Sequence, residues 1–305
     1  MAEHIRFVLT GAVLALGLAV SASADAQPGH ARPMAAQPPE LAIGVPAAQV
    51  QRFVLAAPDG GPEYRVSVWA PPDGKPPAAG YPVVYMLDGN AVFESLARTA
   101  SALPPGESLQ AVVVGIGYDD AERFNVTARS YDYTPPSPGA EAPRGSPRDP
   151  DAQGWAKPGG GADRFLGILQ QRIQPLVERR YRIDAANRTL YGHSYGGLFA
   201  LHVALSRPQA FRHYVAASPS IWWNGRFILQ SLAHPAAVPD VDVDVTVMAG
   251  AEAQGRSDLP DSPESVVRAL GDIPHVRASL RVFPGLGHGE MLPASLAATL
   301  RGYVR

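Results

Sequence analysis

The spacing of apolar side chains changes several times along the chain, and each change marks an element. Residues 51–56 (QRFVLA) and 64–70 (YRVSVWA) alternate between two faces, with Pro58-Asp59-Gly60-Gly61 between them. That is an antiparallel hairpin pattern. Residues 82–87 (PVVYML) and 109–116 (LQAVVVGI) are apolar on both faces, as expected of central parallel strands covered by helices. Residues 91–100 between them have helical character. In 163–179, Phe165, Leu166, Ile168, Leu169, Ile173, Leu176 and Val177 share one helical face, and Pro175 predicts a kink. Strands at 188–193, 211–217, 242–248 and 278–283 then alternate with helices at 196–205, 265–270 and 292–303. Strands and helices in alternation imply an α/β fold: one doubly wound, mostly parallel sheet with right-handed crossovers and an N-terminal antiparallel hairpin.

The N-terminal end and one internal stretch differ from this pattern. Arg6, the apolar run 7–20 and the small residues Ser21-Ala22-Ser23-Ala24-Asp25-Ala26 form a secretory signal pattern, with cleavage after Ala24 or Ala26. The run is shorter than the roughly 20 residues that span a bilayer as a helix. The expectation is a signal peptide at 1–26 and export to the periplasm or beyond, with no membrane span afterwards. Residues 27–47, rich in Pro and Ala, read as a poorly ordered arm, and 48–305 as a single catalytic domain. The Pro- and Gly-rich stretch 134–161 reads as a long loop, a rim, a lid or disordered.

Composition narrows the chemistry. The 305 residues include no Cys, which removes disulfides, thiolate nucleophiles and zinc-finger or iron–sulfur ligation together. A formal net charge of −2 argues against an electrostatic nucleic-acid binder. No cofactor or metal is implied.

Gly192-His193-Ser194-Tyr195-Gly196 matches G-x-S-x-G between a strand-like and a helix-like segment. A serine on such a strand-to-helix turn needs glycine on either side, and the turn presents the hydroxyl above the sheet. Ser194 is therefore the candidate nucleophile. The next amide, that of Tyr195, lies at a helix N-terminus where it can stabilise an oxyanion. A second donor is expected from the loop after the third strand, Leu87-Asp88-Gly89-Asn90, and the Asn90 backbone N–H is the candidate, with helix capping by Asn90 as the alternative. In a nucleophile–acid–histidine order the base follows the last strand, which selects His288 within Pro284-Gly285-Leu286-Gly287-His288-Gly289. The other histidines, His193 among them, read as packed or solvated. For the acid, Glu252 in the loop after the 242–248 strand is the first candidate and Asp258 the second, and a Ser–His pair without a carboxylate stays open.

Beyond the elbow, Val84–Asn90 (VYMLDGN), Arg129–Pro135 (RSYDYTP), Phe165-Leu166, Leu190–Leu201 (LYGHSYGGLFAL) and Ser218–Trp223 (SPSIWW) together resemble the esterase family of α/β-hydrolases. That family includes S-formylglutathione hydrolases, feruloyl esterases, mycolyltransferases and enterochelin esterases. The likeness covers about residues 48–305 and is strongest to periplasmic siderophore trilactone esterases. It implies an α/β-hydrolase fold, an oxyanion hole from Asn90 and Tyr195, a weak or missing acid, and hydrolysis of a catecholate siderophore trilactone or its linear esters through an acyl-enzyme. A ferric catecholate siderophore is then the small-molecule partner.

Arg129, Tyr131, Trp222 and Trp223, with Arg123 and Tyr133 nearby, are the candidates for holding an anionic aromatic acyl group by charge and stacking. Ordinary packing of the aromatics, and a salt bridge from Arg129 to Asp132, are the alternatives. A general carboxylesterase, an acyltransferase of the same fold and a non-catalytic siderophore-binding protein remain the competing functions.

Overall fold

The computed structural model describes residues 32–33, 50–58, 60–72, 75–93, 107–137, 159–251 and 259–305. Among these the strands β1 (Arg32–Pro33), β2 (Val50–Leu55), β3 (Tyr64–Trp69), β4 (Tyr81–Leu87), β5 (Val112–Tyr118), β6 (Ile183–His193), β7 (His213–Ala217), β8 (Val243–Ala249) and β9 (Val276–Val282) form one sheet. Its order is β1-β2-β3-β5-β4-β6-β7-β8-β9. The hairpin closes with Leu55 opposite Tyr64, and β3 pairs antiparallel with β5. From β5 to β9 every pairing is parallel. Arg32 and Pro33, expected in an irregular arm, instead pair antiparallel with Val54 and Phe53.

The helices are α1 (Val126–Asp132), α2 (Ala162–Ile168), α3 (Gln174–Glu178), α4 (Tyr195–Ser206), α5 (Trp223–Arg226), α6 (Ile228–Ala233), α7 (Pro263–Gly271) and α8 (Met291–Arg301). Alternation along the buried strands sorts their side chains into two cores. Val83, Tyr85, Leu87, Val114, Leu190 and Tyr214 face the core that holds α2, α3 and α4. Val84, Met86, Val113, Tyr191 and Val215 face the core that holds Ala91, Val92, Phe93 and the α8 residues Met291, Leu292, Leu296 and Leu300. All twelve residues of α4 are buried, so this helix has no solvent face.

Three boundaries depart from the sequence reading. The 163–179 helix is split: α2 ends at Ile168, a π-helical turn spans Leu169–Ile173, and α3 begins at Gln174 with Pro175 in its first turn. Proline has no N–H to donate and its ring crowds the preceding turn, and the wider turn accommodates both without ending the helix. β6 starts at Ile183 rather than 188, because Ile183 pairs with Tyr81 although 184–187 carry no strand signal. β5 starts at Val112 rather than 109, while Leu109 bridges Val304 and Ser108 exchanges backbone hydrogen bonds with Arg305.

The parallel registers bring the carboxyl ends of the strands into line, with His193 opposite Ala217, Ala217 opposite Met248 and Ala249 opposite Val282. The loops after β4, β6, β7, β8 and β9 therefore gather at one edge, where ligands of open α/β sheets bind.

Candidate active site

Ser194 joins β6 to α4 with φ 61° and ψ −117°, in the region that L-residues rarely adopt. Hydrogen bonds with the neighbouring strand end, the following helix and the loop after β7 hold it there. Its N–H donates to Ala217 O at 2.9 Å, and its carbonyl accepts from Leu198 N at 3.0 Å and Ser220 N at 3.2 Å. Gly192 is required by space. A Cβ at that position would collide with Gly196 O, a contact with backbone that no side-chain adjustment relieves. The Tyr195 N–H opens α4, where an amide has no intrahelical acceptor.

The 284–290 segment follows β9. His288 is exposed, and its carbonyl accepts from His193 Nε2 at 2.9 Å, with the two imidazole centroids 4.7 Å apart. His288 therefore lies against the residue that precedes Ser194. Its loop is also tied to the loop after β8: Ala251 N–H donates to Leu286 O at 2.8 Å and Phe283 N–H to Ala249 O at 2.8 Å. Glu252 and Asp258 lie outside the described residues, as do 1–31, most of the arm and 138–158 of the long loop.

After β4, Asp88 takes a φ of 55°, and its backbone carbonyl accepts from both Ala91 and Val92. The helix that opens here thus starts from the Asp88 carbonyl, and Asn90 lies within its first turn rather than capping it. The Asn90 side chain reaches across instead, donating to Tyr118 O at 3.1 Å and Glu122 O at 2.9 Å. The Asn90 N–H lies in the first helical turn, like that of Tyr195.

Arg129 is 9% exposed and forks onto Asp88, with Nε to Oδ1 and Nη2 to Oδ2 both at 2.9 Å. Nη2 also lies 3.5 Å from His193 O. The alternative partner, Asp132, is engaged elsewhere, accepting from Tyr64 Oη at 2.8 Å, Tyr118 Oη at 3.0 Å and Arg164 Nη1 at 3.3 Å. Burial acts to lower the Arg129 pKa, but the Asp88 charge and hydrogen bonds together with Tyr133 and Tyr118 outweigh it and hold the guanidinium above its ordinary value. The guanidinium also stands over Phe124, Tyr133 and Tyr195, with ring centroids 5.5–5.6 Å away. So placed, Arg129 braces the loop after β4 against the elbow.

The two tryptophans separate. Trp222 is 47% exposed and its ring meets that of Tyr195 at 5.9 Å, whereas Trp223 is 1% exposed inside the larger core. The packing alternative holds for Trp223, because consecutive residues at the start of α5 point in different directions. Tyr131 is 39% exposed and lies over Gly161. Burial pushes the Tyr195 phenol up to about 12, against the opposing charge of Arg129. Tyr195 is therefore neutral near pH 7.

His193, read from the sequence as packed or solvated, is packed, whereas the pairing of Asp88 with Arg129 and the approach of Ser220 to Ser194 were not read from the sequence. Ser220 is 1% exposed and its Oγ lies 3.2 Å from Ser194 Oγ. Its legible signals were its place in the Ser218–Trp223 segment and its position after β7 at the same edge of the sheet.

The model of the family described as "Putative esterase" matches residues 59–237. The ferri-bacillibactin esterase BesA of Bacillus subtilis (strain 168) is 36% identical over 240 residues, which cover 75% of this chain and 81% of the relative. The apo-salmochelin esterase of Escherichia coli O6:H1 is 35% identical over 263 residues, covering 79% and 75%. Among solved structures, the enterobactin hydrolase IroE in complex with DFP superposes with a TM-score of 0.65 at 34% identity, covering 83% of this chain and 94% of that one.

Proposed function

The chain belongs to the "Putative esterase" family and is an ester-hydrolysing enzyme of α/β-hydrolase fold, and we propose that it opens a catecholate siderophore trilactone or its linear esters, with Ser194 as nucleophile and His288 as general base. The observation that carries the site reading is the strained Ser194 at the elbow with His288 drawn against its neighbour His193. The substrate reading is supported by the siderophore esters named for both curated relatives and by the aromatic surface of Trp222 and Tyr195 beside the elbow.

Ser194 Oγ attacks the ester carbonyl carbon while His288 takes its proton. The tetrahedral oxyanion is received by the amides of Tyr195 and Asn90. Collapse breaks the carbon–oxygen bond, and the His288 imidazolium protonates the departing alkoxide. Water, deprotonated by His288, then attacks the acyl-enzyme. The carboxylic acid leaves and the proton returns to Ser194. A carboxylate would orient the imidazole and stabilise its charged form; Glu252 is the first candidate for that role from its position in the loop after β8, with Asp258 the second and a Ser–His pair without a carboxylate the alternative. The residue pattern at 1–26 supports export to the periplasm or beyond. Among the described residues, no helix is long and apolar enough to cross a membrane.

Ser194→Ala is expected to abolish ester turnover and labelling by a fluorophosphonate; retained turnover would overturn the site reading. Triscatecholate trilactones compared with short-chain nitrophenyl esters test the substrate. Hydrolysis of the simple esters alone would retire the siderophore reading.

A further inference from the structure

We propose that His193 is a positioning residue for the general base: its Nε2–H holds the backbone of His288, and its ring braces the His288 imidazole. The inference rests on the reading of Ser194 and His288 given above.

The base needs such a hold. It sits in Gly285-Leu286-Gly287-His288-Gly289, an exposed segment whose glycines give the backbone little stiffness of its own. A general base must stay within hydrogen-bond reach of the proton it takes. The 284–290 segment fastens itself internally through Gly287 N–H to Glu290 Oε2 at 2.7 Å and Met291 N–H to Gly287 O at 3.1 Å. Those bonds shape the turn, and Ala251 N–H donating to Leu286 O ties it to the loop after β8, but none of them comes from the strand that carries the nucleophile.

The contact from His193 supplies that relation. Nε2 lies 2.9 Å from His288 O, and a carbonyl only accepts, so Nε2 carries the hydrogen. This donor is present in both the neutral and the charged imidazole, so the hold does not depend on the protonation state of His193. The ring is buried, with the residue 7% exposed, and its plane is tilted 43° from that of His288 at a centroid distance of 4.7 Å. Most telling is where the anchor is rooted. His193 is the last residue of β6, paired with Ala217 of β7, and is bonded covalently to Ser194. Nucleophile and anchor thus belong to one rigid strand end, so the His193 side chain ties the base directly to the strand that carries the nucleophile. Histidine suits the task because it combines a donor at that reach with a flat face.

Three substitutions separate these elements. His193→Phe keeps a ring without a donor, His193→Asn keeps an amide too short to reach, and His193→Gln returns an N–H at the original reach. With triscatecholate trilactone as substrate, Phe and Asn are expected to lower kcat about tenfold or more, with KM within about twofold. Gln is expected to recover kcat to within about threefold of the parent. Melting temperatures of all variants identify any that fail to fold; if Phe does, Asn carries the comparison. Parent kcat in Phe or Asn overturns the proposal, as does a rise in KM at constant kcat. Equal loss in Gln, Asn and Phe at unchanged melting temperature also overturns it. His288→Gln serves as the reference. If that variant stays fully active, the base assignment itself falls, whatever the His193 variants do.

Discussion

Ser194 holds a backbone conformation that costs an L-residue about 1–2 kcal/mol. Glycine alone escapes that cost. Ser194→Gly is therefore expected to be more stable to urea than Ser194→Ala by about 1 kcal/mol, although both lose all turnover. Equal stabilities would mean that the φ of 61° is not strained in this setting. Arg129 makes a second residue-scale case. Its fork onto Asp88 lies almost wholly out of water, and breaking a buried pair from one side leaves an uncompensated charge. Arg129→Met is expected to cost about 3–5 kcal/mol in urea unfolding. A surface arginine kept for ligand contact would instead raise KM at parent stability. That pairing was not legible along the chain, since Asp88 and Arg129 stand 41 positions apart and the sequence offered Asp132 as the nearer partner.

At the scale of elements, the elbow tolerates no added volume at its base. Gly192→Ala drives a methyl group into the Gly196 carbonyl, and the expected result is loss of both fluorophosphonate labelling and about 3 kcal/mol or more of stability, measured on the same preparation. The strands β7, β8 and β9 carry a charged strip at their amino ends, where Asp244 meets His213 Nδ1 at 3.0 Å and Arg277 Nε at 2.7 Å. Burial lowers the His213 pKa below its ordinary 6.5, with Arg212 and Arg277 adding to the effect and Asp244 opposing it. The unfolded chain then binds a proton that the folded chain resists, so stability falls as pH drops below about 6.5. Burial acts to raise Asp244, but Arg277, Arg212 and His213 outweigh it and hold it below 3.8. Its contribution is complete above that value and disappears only as pH falls through the lower folded value, a separate window. His213→Gln should flatten the dependence of unfolding free energy on pH between about 7 and 5, read from urea titrations at several pH values.

Over the whole molecule, sequence reasoning found the parallel sheet, the hairpin and the strand–turn–helix elbow because each has a short-range signature. Period-two alternation marks β2 and β3, unbroken apolar runs mark β4 and β5, and glycines mark the turn at Ser194. What escaped it arises between distant segments. β6 begins five residues early because Tyr81 offers Ile183 a partner, α5 and α6 form after Trp222 without an amphipathic signal, and His193 gains its role only when β9 delivers His288 beside it. The absence of solvent around α4 has a consequence for how the enzyme wears out. Its amides should exchange with deuterium only through global opening, whereas the exposed turn that carries His288 should exchange at far lower cost. On warming, the imidazole should stray while the serine is still cradled, and early heat damage should be undone by simple cooling.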